Sequence, residues 1–110
     1  MSTYSPDKWQ IIKITNKEHG THYRVFAVWF GGYLDGDSWK LNSGITKASF
    51  TNDIYEFEGS SGSVYCCHAN GYGTSGYGQG VLQRIIDDSK KFNTIMIMPA
   101  DTNFLNLEYV

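Results

Sequence analysis

Concentrated charge is what this chain most lacks. Nine Lys and Arg stand against eleven Asp and Glu in 110 residues, a net of −2, with no block of either sign. That excludes the basic footprint of a duplex-DNA binder and the acidic surface of a DNA mimic. Cysteine is scarce too. The two present, Cys66 and Cys67, are adjacent, and a bridge between neighbours is strained. Free thiols in a reducing compartment are therefore expected. No apolar run approaches the ~20 residues that span a bilayer. The start, MSTYSPDKW, has no apolar core of the kind a secretory signal carries. The expectation is a cytoplasmic protein that neither enters a membrane nor binds duplex DNA.

Aromatic residues are abundant, at 15% of the chain, and supply bulky core material. The length fits a single domain over residues 1–110, with 1–7 as a loose leader. Residues 8–15 (KWQIIKIT) read as a first strand. Residues 22–30 (HYRVFAVWF) are the strongest strand signal, dense in β-branched and aromatic types. Both faces of that strand are mostly apolar, which predicts a central strand covered on both sides. The helix supplies one cover, and a partner subunit is a candidate for the other.

Residues 39–41 suggest a short strand. Residues 45–51 and 54–58 flank Asn52-Asp53 as a hairpin, with Tyr55 and Phe57 alternating with Glu56 and Glu58. Residues 64–68 form a further strand. Val81, Leu82, Ile85 and Ile86 fall on one helical stripe. Residues 94–98 (TIMIM) read as a last buried strand, with Met96 and Met98 as packing residues, and the tail from Asp101 onward as a short edge strand. The predicted fold class is α+β: a mostly antiparallel, bent β-sheet of about six or seven strands, with one C-terminal α-helix packed on one face.

Between Asn70 and Gly80 the chain reads NGYGTSGYGQG, without a charge. A strand precedes it and a helix follows. Gly71-x-Gly73-x-x-Gly76 matches the dinucleotide fingerprint, and Asp101 stands where a ribose-binding acid belongs. One β-α-β unit after an antiparallel run does not make a Rossmann domain, so no cofactor is expected. No Gly-Lys-Ser/Thr follows, which excludes a phosphate loop of the Walker type. A broader reading survives. Open amides at a helix N-terminus bind phosphate, and tyrosines stack on bases. The candidate ligand-binding residues are Tyr72, Gly73, Thr74, Ser75, Gly76, Tyr77 and Gly78, with Arg24 and Arg84 as counter-charges. The same composition suits a protein contact, since Tyr, Gly, Ser and Asn dominate antibody loops. Residues 30–39 (FGGYLDGDSW) share it, and the two loops would form one aromatic patch if they lie at one end of the sheet.

Catalytic and metal signals are thin. His19, His22, Cys66 and His68 lack zinc-ligand spacing, and no metal site is expected. A Cys66–His68 nucleophile pair has no recognisable frame. His19-Gly-Thr21 has half of a two-histidine phosphodiesterase pattern, but His68 is followed by Ala69-Asn70. Asp35-Gly-Asp37-Ser38 has part of a calcium loop without its closing glutamate, and reads as a turn. Glu56 and Glu58 read as the wet face of their hairpin.

YRVFAVWFGGYLDGDSWKLNSGITK (residues 23–47) and GSVYCCHANGYGTSGYGQGVL (residues 62–82) resemble the small single-domain accessory proteins of tailed bacteriophages and prophages. The resemblance is to their short length, compactness and aromatic, Gly-rich loops. It implies a host-takeover or counter-defence role in the host cytoplasm, exerted stoichiometrically, and a homo-oligomer. The resulting expectation is a non-catalytic binding protein that sequesters a small phosphorylated or nucleotide-like ligand at the Gly/Tyr loop. The alternative is an inhibitor that blocks a host protein through the same loops. A small phosphodiesterase using His19 and His68 comes third.

Overall fold

A computed structural model describes residues 2–31 and 36–109. In chain order its elements are β1 (Thr3–Tyr4), β2 (Lys8–Asn16), β3 (Gly20–Trp29), β4 (Ser38–Leu41), β5 (Ile45–Thr51), β6 (Ile54–Gly59) and β7 (Val64–His68). A short 3-10 turn (Ala69–Gly71), helix α1 (Gly76–Ser89) and β8 (Asn93–Ile97) complete it. The fold is α+β and mostly antiparallel. The strands divide between two four-stranded sheets. Sheet I has the order β1-β7-β6-β5 and sheet II the order β4-β3-β2-β8. Between β1 and β7 the pairing is parallel. No described helix is long and apolar enough to cross a membrane.

The layers are sheet I, sheet II and α1. Strand alternation decides which residue meets which layer. Trp9 and Ile11 on β2, and Tyr23, Val25 and Ala27 on β3, face sheet I, where they meet Phe57, Tyr65 and Cys67. Ile12, Ile14, Phe26 and Val28 face the other way and receive Leu82, Val81, Ile85 and Ile86 of α1. β3 is thus covered on both sides, as its two apolar faces predict. Its second cover is sheet I, and no partner subunit is needed for it. Each large side chain buried here contributes about 1.5–3 kcal/mol.

The hairpin turn sits at Asn52-Asp53. Both residues have positive φ, 52° and 64°, as a two-residue turn matched to strand twist requires. Glu56 and Glu58 line the outer face of sheet I with Lys47 and Ser49.

Four segments differ from expectation. Residues 2–7 are docked: β1 pairs with β7, and Tyr4 packs on Trp29 and Tyr65. The helix starts inside the glycine-rich stretch, at Gly76, because Ser75 caps it by accepting from Gly78 N at 3.1 Å. β8 is an edge strand, so Met96 and Ile97 are 48% and 42% exposed, while Met98 beyond it is buried. The tail forms no strand among its described residues. It lays Phe104, Leu107 and Tyr109 over the inter-sheet core.

Candidate functional site

A groove of about 480 Å³ runs between α1 and the β2–β8 side of sheet II. Gln10, Thr74, Gly76, Gln79, Gly80, Leu82, Gln83, Ile86 and Ile97 line it. None of these carries a charge. Leu82, Ile86 and Ile97 give it an apolar floor, and three glutamines and a threonine supply polar groups. Gln10 Oε1 and Thr74 Oγ1 are shut off from water and have no hydrogen-bond partner. Buried polar atoms in native folds are nearly always paired, so an unmet pair calls for an explanation. The Gln83 amide donates to Asp87 Oδ1 at 3.0 Å.

Thr74, Gly76 and the first turn of α1 meet at the mouth of this groove. Gly78 N is used by the Ser75 cap, and Gln79 N donates to Ser75 O at 2.8 Å. The amides of Gly76 and Tyr77 have no partner among the described residues. They form the open positive end of the helix. Gly78 belongs to packing. A methyl group there would run into Thr74 Oγ1 and come within 2.9 Å of Val28 Cγ2. Gly76 and Gly80 have open space around them.

Tyr72 points into the inter-sheet core and does not face the groove. Its hydroxyl accepts from Ile11 N at 3.2 Å and donates to Met98 O. Its ring meets Trp9 edge-on at 4.8 Å and stacks on Phe104 at 5.3 Å. Burial raises its pKa. Gly73 N donates to Trp9 O at 2.8 Å, so that amide is also engaged. Tyr77 stays 42% exposed.

Arg84 is exposed on α1, outside the groove lining. Arg24 lies four residues along β3 from Val28, the residue Gly78 packs on. At 3.3 Å per residue that is about 13 Å. Arg24 lines a different cavity of about 340 Å³ under the C-terminal half of α1, with His19, His22, Ile14, Leu41 and Ile85. There its Nε donates to His22 Nε2 at 3.0 Å. Burial, and then the Arg24 charge, lowers the pKa of His22.

The cation beside the loop is Lys8, which sequence reasoning missed. Its Nζ stands 3.7 Å from where a Cβ on Gly73 would be. The signal was present in the alternation of β2: Lys8, Gln10, Ile12 and Ile14 fall on one face, and that face meets α1. Gln10 was missed for the same reason.

The remaining candidates are dispersed. His68 O accepts from Trp9 Nε1 at 2.7 Å, near the start of β2. His19 lies beyond Asn16, at the other end. Seven residues at 3.3 Å put about 23 Å between those ends, too far for one phosphodiester. Among the described residues no three His, Cys, Asp or Glu gather as a metal site. Cys67 points into the core, where burial pushes its thiol far up. Cys66 faces outward beside Glu56, and its thiol is raised by burial and then by that carboxylate. Asp35 of the Asp35-Gly-Asp37 turn, and Gly32, Tyr33 and Leu34 of the 30–39 loop, lie outside the described residues. The fingerprint glycines join β7 to α1, but β7 and β8 belong to different sheets. The crossover that a dinucleotide fold needs is therefore absent here.

No family model matches this chain, and no curated protein or solved structure is significantly similar to it.

Proposed function

We propose that this chain is a non-catalytic binding protein that holds a small nucleotide-like ligand in the groove between α1 and the β2–β8 side of sheet II. One observation carries the reading: Gln10 Oε1 and Thr74 Oγ1, both buried and unpartnered, belong to residues that line a single uncharged groove. A heterocycle with amide-like edges meets such groups, and glutamine pairs with base edges in two-point fashion. Rotation about the last torsion of Gln10 is soft and turns its carboxamide to the ligand. A phosphate extending from the base reaches the Gly76 and Tyr77 amides, with Lys8 as its counter-charge. Arg24 and Arg84 have no part in it. Stoichiometric sequestration, as in phage counter-defence, follows from the resemblance of the loops alone.

Calorimetric titration with nucleosides, nucleotides and cyclic nucleotides tests this. At least one of them gives saturable heat, and Gln10→Ala weakens it about tenfold, the worth of one well-made hydrogen bond. Silence across the whole panel overturns the reading.

A second reading has its own observation. Phe30, Trp39 and Tyr77 are exposed. Val28 pairs with Trp39 across β3–β4, precedes Phe30 by two residues and packs on Gly78. The described ends of both aromatic loops thus share one end of sheet II, a surface suited to blocking a host protein. Capture from a bacterial lysate tests it. A stoichiometric partner that Tyr77→Ala and Trp39→Ala both release supports it, and capture unaffected by either substitution counts against it.

A further inference from the structure

Each of the two sheets has two edges, and natural sheets protect their edges against pairing with other chains. Three of these four edges carry such a device. β1 has two residues. β5 carries Lys47 and a register irregularity between Ile45 and Lys47. β4 has four residues, one of them Lys40. β8 has none. Its five residues, NTIMI, hold no charge, no proline and no bulge. Phe92, just before it, is 69% exposed, and Met96 and Ile97 within it are nearly half exposed.

The direction of the open backbone groups is fixed. Met98 N donates to Ile11 O at 2.9 Å, so Met96 and Thr94 also turn towards β2. Alternation then turns the N–H and C=O groups of Asn93, Ile95 and Ile97 outward. No hydrogen bond among the described residues uses these groups.

We propose that β8 pairs with β8 of a second copy of this chain, antiparallel about a two-fold axis through Ile95, joining the two copies of sheet II into one continuous sheet. The flanking charges choose this occupant and this direction. Lys91 precedes β8, next to Lys90, whose ammonium is shared with Asp87 at 3.8 Å, and Asp101 follows it. Antiparallel pairing lays the basic end of one copy beside the acidic end of the other. Parallel pairing would set like charges together. In the antiparallel register Ile95 faces its own symmetry mate, and Asn93 faces Ile97 of the second copy. Each outward residue then exchanges both of its backbone bonds. The two-fold makes the interface self-complementary. Ile97 belongs both to this seam and to the groove lining. The seam stands whether or not the groove binds a nucleotide.

Sedimentation equilibrium of the wild-type chain from micromolar to millimolar concentration, beside Met96→Lys and Ile95→Pro, tests the seam. Met96→Lys sets two new ammonium groups on one face, one cross-strand diagonal apart. It leaves the groove lining untouched. Ile95→Pro removes one outward N–H, at a site where an edge strand tolerates proline. Self-association of the wild type, weakened at least about tenfold by Met96→Lys with an unchanged circular dichroism spectrum, is the expected result. If Ile95→Pro fails to fold, Met96→Lys alone decides. A wild type that stays monomeric at every concentration overturns the proposal. So does an assembly of any size that survives Met96→Lys.

Discussion

Sheet I and sheet II have four strands each, yet they solve different problems. Sheet I buries one face and leaves the other to Glu56, Glu58 and Cys66. Sheet II buries both faces of β2 and β3, one against sheet I and one against α1. The difference is written in their sequences. β6 alternates apolar with acidic residues, while β3 runs unbroken apolar from Val25 to Trp29 and β2 sets isoleucines on both of its faces. A strand covered on both sides can host a groove where its cover ends. Gln10 lies at such a place, on the α1 side of β2, in the groove floored by Leu82 and Ile86 of the helix's apolar stripe. The wet face of sheet I instead carries a shallow patch of Lys47, Ser49, Glu56, Glu58 and Val64.

The contrast can be broken from the middle outward. Trp9 joins the two sheets: it is fully buried, packs on Tyr55, Phe57, Tyr72 and Phe104, and bonds His68 O. Trp9→Ala is expected to cost about 3–5 kcal/mol in urea unfolding, the largest single effect here. Gly78 tests the other interface of sheet II. Gly78→Ala forces Thr74 and Val28 to move and is expected to cost about 1–3 kcal/mol. Gly80→Ala, two residues on in the same helix, meets nothing within 4 Å. It is expected to stabilise by about 0.5–1 kcal/mol, since alanine suits a helix interior better than glycine. Opposite signs from two glycines of one helix would separate packing from permissiveness.

Smaller effects distinguish the titratable groups of the two sheets. On sheet II, His22 has a folded pKa below its unfolded value of 6.5. The unfolded chain therefore binds the proton more readily, and stability falls as the pH drops below about 6.5. Arg24→Gln removes one of the two causes and is expected to flatten that fall, measured as melting temperature between pH 7 and pH 5. On sheet I, Glu56→Gln removes a charge that raises the Cys66 thiol. Alkylation of Cys66 near pH 8 is then expected to quicken, with Cys67 still inert in the core.

Much of this architecture was legible in the chain. Periodicity marked β2, β3 and the β5–β6 hairpin, and it gave the apolar stripe of α1. What stayed hidden depended on contacts distant in sequence. The covering of the second face of β3 by sheet I follows from pairings that no local pattern announces. Residues 70–80 read as one uncharged, glycine-rich stretch between a strand and a helix, yet it divides at Ser75. Gly73 takes a φ of 130° before the cap, while Gly78 lies within a helix because a close approach to Val28 and Thr74 requires it. Tyr72 resembled a ligand-stacking residue, but its hydroxyl bridges Ile11 and Met98 and its ring fills the core. TIMIM reads as a buried strand yet lies at a sheet edge, since a strand's place in the sheet is not a local property. For the site, the sequence marked Thr74 and Gly76, and α1 supplied their groove. It also offered Arg24 and Arg84 as counter-charges, because a list of cations carries no distances.

The proposed binding surface lies on the α1 side of sheet II. The most direct test is an amide-and-side-chain NMR titration of isotope-labelled protein with the nucleoside and nucleotide panel. The expected result is saturable movement of the Gln10, Gln79 and Gln83 carboxamide signals and of the Thr74, Gly76 and Tyr77 amides, with the signals of Glu56, Glu58 and Cys66 unmoved. No saturable movement, or movement confined to the outer face of sheet I, would contradict it.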